Sequence, residues 1–132
     1  MATYRADTPT ELASLNHLIH DYWFDVNDVD FMPEQRTLRV RFSRPPSVAE
    51  GRAGQDKKRR VDWWLEIRDV ERYELSETEH IGRYDFNELR FAPTEGVLVV
   101  STGVPLRFFV TVSRLDVLLR EVAGGPEAVG PA

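Results

Sequence analysis

Apolar residues recur at helical spacing over one clear stretch of the chain. Leu12, Leu15, Leu18, Ile19 and Tyr22 follow Thr8-Pro9-Thr10-Glu11. That opening is a Ser/Thr-x-x-Glu capping box with Pro at the first helical position. The spacing predicts a helix over 9–21, with His17, His20 and Asp21 on its polar side.

Beyond the helix the period becomes two. Leu38, Val40 and Phe42 alternate with Thr37, Arg39 and Arg41, and Trp63, Leu65 and Ile67 alternate with charged neighbours. Leu98 and Val100, then Leu106, Phe108, Val110 and Val112, continue the pattern. Such alternation marks strands with one buried face. Further strands are expected over 23–32, 71–75 and 83–91. The segment from Ser113 fits helix or strand by spacing alone.

An internal correspondence favours strand there. FDVNDVDFMPEQRTLRVRF, from Phe24, aligns without gaps on YDFNELRFAPTEGVLVVST, from Tyr84, sixty residues later. WWLEIRDVE, from Trp63, lies on FFVTVSRLD, from Phe108, forty-five residues later. The mobile polar loop at 45–60 thus contains an insertion of fifteen residues, and 115–119 matches the strand at 70–74. Turns begin at Pro33 and Pro93. Gly96 suits a left-handed turn position, and Arg36 at the matching position predicts strain of about 1 kcal/mol. The apolar parity slips near Asn27 and Asn87, where a β-bulge or an Asx turn would restore it.

The expected fold is α+β, mainly β. An N-terminal helix precedes an antiparallel sandwich or partly closed barrel of about six to eight strands. The barrel is built from two duplicated three-strand units, 23–75 and 83–122. Residues 1–123 form a single domain, and the Gly- and Pro-rich 124–132 is expected to be a disordered tail.

Composition narrows the function classes. The 132 residues include no cysteine, so neither a disulfide scaffold nor thiolate chemistry is available. The net charge of −5 argues against general nucleic-acid binding. The start does not read as a signal peptide, and no apolar run approaches the roughly 18 residues of a membrane span. A cytoplasmic protein with no cofactor is expected. No Gly-x-Ser-x-Gly, His-Glu-x-x-His or Gly-rich phosphate loop is present, and no residue is marked as catalytic.

Four groups of residues are candidates for binding. Trp64 and Phe109 sit at aligned positions and point away from the core in the parity of their strands, where an aromatic needs a cover or a partner. Lys57, Lys58, Arg59 and Arg60 form the one dense basic run. Asp25, Asn27, Asp85 and Asn87 supply oxygens for a polar ligand or cation, against the plainer reading that they satisfy turn backbone. His17, His20 and Asp21 are weak metal candidates, since a zinc site needs a further ligand.

These features favour a non-catalytic protein-interaction domain, for example of an immunity or inhibitor type, whose partner is another protein or a second copy. The alternatives are a small-ligand-binding β module with an interior pocket, and a small enzyme using carboxylate or His acid–base chemistry.

Overall fold

The computed structural model describes residues 2–43 and 62–122. The loop at 45–60, with its basic run, and the tail at 124–132 lie outside the described residues. In chain order the elements are β1 (Thr3–Ala6), α1 (Pro9–Ile19), β2 (Trp23–Asp25), β3 (Val29–Met32) and β4 (Thr37–Phe42). There follow β5 (Trp63–Ile67), β6 (Val70–Glu77), β7 (Arg83–Ala92), β8 (Val97–Thr102), β9 (Leu106–Val112) and β10 (Val117–Glu121).

The fold is mainly β, as the periodicity predicts, with one α-helix among the described residues, placed after the short β1 and ahead of the other antiparallel strands. Two differences concern number and length. The described residues hold ten strands, because 23–32 is split in two and β1 joins the edge of β10. β1 is four residues long with one buried position, too short to carry a visible period. The helix ends at Ile19 rather than Asp21. The Tyr22 amide donates to the Ile19 carbonyl, and Asp21 takes a left-handed φ of 73°.

At the helix start, the Thr8 hydroxyl accepts from the Glu11 amide at 3.2 Å. The Glu11 carboxylate accepts from the Asp7 amide at 2.9 Å, one residue beyond the usual box. That backbone hydrogen bond from Asp7 holds the Glu11 carboxyl below its ordinary range.

The strands form two antiparallel sheets of five, ordered β1-β10-β5-β4-β3 and β2-β7-β8-β9-β6. β3-β4-β5 run consecutively in the first sheet and β7-β8-β9 in the second. Each run then sends its next strand, β6 or β10, to the opposite sheet. An isolated bridge between Trp23 and Ser43 joins the sheets where β2 meets the end of β4.

The alternation sends one side of each strand inward. Phe24, Phe42, Tyr84, Phe86 and Phe108 meet there, with Phe42 and Phe86 edge to face at 4.9 Å between centroids. Burial of each such ring contributes about 1.5–3 kcal/mol. Leu12, Leu15 and Ile19 bring α1 into the same core, and the helix packs chiefly on β1 and β7.

Both parity slips have a structural cause. Val26–Asp28 is a single 3₁₀ turn, and the Asp25 carboxylate caps it by accepting from the Asn27 amide at 2.9 Å. In β7 the pairing shifts between Phe86 and Glu88, leaving Asn87 as a bulge. Asn16 from α1 pairs with the strand just beyond. Its side chain accepts from the Leu89 amide at 2.8 Å and donates to the Leu89 carbonyl at 3.0 Å.

Candidate binding surfaces

Cross-strand partners share a face, so the register identifies what each sheet presents outward. On the first sheet the outward side carries Arg39 and Arg41 from β4, Trp64 and Glu66 from β5, and Arg120 from β10. The Arg39 guanidinium lies 3.9 Å from the centroid of the Trp64 ring, and that of Arg41 lies 5.6 Å away. Glu66 pairs with Arg120 at 3.2 Å and Arg39 at 3.6 Å, and Asp62 with Arg41 at 2.8 Å. Trp64 is therefore roofed by the Arg39 guanidinium, with Arg41 near the outer limit of cation–π range, an arrangement that itself stabilises the face.

The second sheet presents a different surface. One row across it reads Glu74 (β6), Phe109 (β9), Val99 (β8) and Arg90 (β7). The adjacent row brings Arg72, Thr111, Val97 and Ala92. Phe109, Val99, Val97 and Ala92 are all half-buried. The Arg107 guanidinium stands 5.4 Å from the Phe109 centroid, near the outer limit of cation–π range and farther than Arg39 from Trp64. Among the described residues α1 turns Leu12, Leu15 and Ile19 into the core and makes no extensive contact with β8 or β9, the central strands of this face. At its rim Arg107 pairs with Glu74 at 3.2 Å and Arg90 with Glu88 at 3.4 Å, all four exposed enough to exchange partners.

Trp64 and Phe109 do not match in hydrogen-bonded register. Trp64 faces Arg41 on β4, whereas Phe109 faces Val99, the counterpart of Arg39. Across that pairing Trp64 accordingly faces a cation and Phe109 an apolar side chain.

Asp25 and Asp85 come from neighbouring strands but serve separate local contacts. Asp25 caps the 3₁₀ turn, and Asp85 accepts from the Gly103 amide at 3.1 Å. Asn27 is exposed and Asn87 sits in the β7 bulge. His17 is exposed on α1, while His20 Nδ1 lies 3.2 Å from the Asp21 carboxylate. No group of three or more His, Cys, Asp or Glu side chains is placed for a metal among the described residues.

The turn end of the first sheet holds an open polar cleft of about 390 Å³ lined by Gln35, Thr37, Arg68, Asp69, Arg114 and Asp116. Asp116 is 3% exposed, and its carboxylate accepts from Arg5 Nε at 2.9 Å. That hydrogen bond raises the Arg5 guanidinium further above its ordinary range. No sequence motif marks this cleft, because its side chains come from three turns far apart in the chain. The nearest hint is an acid, Asp116, within the apolar run from Leu115 to Leu119. A second, more apolar cleft of about 330 Å³ runs between β1 and α1, past Tyr4 and Leu18.

No protein-family model, no curated protein and no solved structure matches the chain. No helix among the described residues is long and apolar enough to cross a membrane.

Proposed function

We propose that the chain is a non-catalytic protein-interaction domain, that its working surface is the outer face of β6-β9-β8-β7, and that this face fits a second copy of itself. The observation that carries the reading is the row Glu74–Phe109–Val99–Arg90. It runs acid, apolar, apolar, base. Consider two copies face to face, related by a two-fold axis along the strands between β8 and β9. Each Glu74 then lies opposite the other copy's Arg90, and each Phe109 opposite a Val99. A self-complementary patch of this kind is what an isologous dimer requires. The apolar centre supplies the burial, and the charges set the orientation.

Light scattering on the eluting protein over a range of concentrations tests this. The wild type is expected to shift from monomer to dimer as concentration rises, and Phe109→Glu to remain monomeric. Glu74→Arg or Arg90→Glu alone sets like charges against each other and weakens the dimer, whereas the double exchange restores it. Circular dichroism checks that each variant is folded. A wild type that is monomeric throughout, or a double exchange no better than either single change, overturns the reading.

A further inference from the structure

We propose that the cleft at the turn end of the first sheet binds a small oxyanion, a carboxylate or a phosphate, between Arg68 and Arg114. The first argument is charge. Two acids line the cleft, and both are already engaged by guanidinium groups. Asp116 accepts from Arg5 at 2.9 Å and lies 3.8 Å from Arg114 Nη2, and Asp69 lies 3.3 Å from Arg114 Nε. Arg68 has no acid within ion-pair distance among the described residues, although it lines the same space. With Asp116 held by Arg5 from outside the cleft and Asp69 held by Arg114, Arg68 is the lining cation left to pair with an added anion among the described residues.

The second argument is rigidity. Three turns meet at the cleft and are tied together through backbone. The Arg68 amide donates to the Asp116 carbonyl, the Val70 amide to Arg36, and the Ser113 amide to Asp69, each at 2.9 Å. Asp69 holds a left-handed φ of 54° in this arrangement. Arg114 is fixed from two sides by Asp69 and Asp116, and the latter is a buried carboxylate that is costly to maintain unless paired. The turn backbone and Arg114 are thus ordered before a ligand arrives, and only the Arg68 side chain remains to be placed, which favours affinity. A guanidinium presents a planar donor fork matched to carboxylate and phosphate oxygens. The volume, about 390 Å³, suits a small molecule.

The cleft lining shares no residue with the Phe109 row, and the titration is repeated in Phe109→Glu so that its outcome does not depend on association. Amide shifts of the labelled full chain are followed while acetate or inorganic phosphate is added, against chloride at equal ionic strength. Saturable shifts confined to the three turns are expected for at least one of the two anions. The anion that saturates at lower concentration identifies the ligand as carboxylate or phosphate. Arg68→Gln, an exposed change outside the core, should weaken that binding about tenfold or more, as expected for loss of a hydrogen bond to a charged group. Arg114→Gln should do the same. Shifts that match chloride, or wild-type affinity in Arg68→Gln, overturn the proposal.

Discussion

Tyr84 shows how one polar atom is accommodated in an aromatic core. The residue is 1% exposed, but its hydroxyl donates to the Glu77 carboxylate at 2.9 Å, and the same oxygen accepts from the Gly82 amide. Desolvation, reinforced by the Glu77 carboxylate, raises the phenol above its ordinary range. The folded state therefore keeps the Tyr84 proton to higher pH than the unfolded chain does. Stability from this source is complete below about pH 10, the ordinary phenol value, and is lost as pH rises through the folded value. Urea midpoints of wild type and Tyr84→Phe, compared at neutral pH and above pH 10, should show a smaller alkaline loss in the variant. An equal loss would remove Tyr84 from the account. The sequence placed residue 84 in a strand, but the Glu77 contact depends on the turn between β6 and β7, which carries no period to read.

Among the elements, the two Pro turns were the most legible because their chemistry is local. Both close four-residue turns, with Met32 paired to Thr37 and Ala92 to Val97. Arg36 and Gly96 adopt left-handed φ of 51° and 68°. An added Cβ at Gly96 would also lie 3.1 Å from the Val112 carbonyl oxygen. Gly96→Ala should therefore destabilise by about 1–2 kcal/mol, combining the left-handed cost with that contact. Arg36→Gly relieves the same backbone strain but gives up the Arg36 Nε hydrogen bond to the Val70 carbonyl at 3.3 Å, so its net effect should stay within about 1 kcal/mol of zero. Denaturant midpoints check both, and a neutral Gly96→Ala would contradict the turn argument. The bulge at Asn87 and the cap at Asp25 were legible for the same reason, since a slip in parity is visible in sequence. β1 and the pairing of Asn16 with Leu89 were not, because each depends on a strand distant in the chain.

At the scale of the molecule, hairpin register agrees with the duplication that we propose, since Val29 faces Val40 and Leu89 faces Val100 sixty residues on. The third strands depart from it by two residues: Leu38 faces Ile67, but Leu98 faces Val110. Alternation fixes which face a side chain takes but not its row, so a shift of two leaves the pattern unchanged and cannot be read from it. Row position is what gives Phe109 an apolar neighbour, and so the proposed association depends on a property sequence periodicity does not carry. Charge then sets how that association should respond to salt. Two copies, each at −5, repel one another. At a centre separation of about 30 Å in water, that repulsion is of order 3 kcal/mol unscreened. It falls to about 1 kcal/mol at 0.01 M salt and nearly vanishes at 0.15 M, where the Debye length is about 8 Å. The Glu74–Arg90 contacts across the interface act at much shorter range, and as exposed pairs contribute about 0–1 kcal/mol each. Between 0.01 M and 0.15 M the repulsion changes by about 1 kcal/mol, whereas charges about 4 Å apart lose only about a third of their attraction, so the long-range part dominates the response to salt. Raising salt from 0.01 M to 0.15 M should tighten the dimer by up to about tenfold, measured by sedimentation equilibrium. Progressive weakening over that range would mean that attraction between rim charges governs the contact, and that the apolar centre around Phe109 is not its main source of affinity.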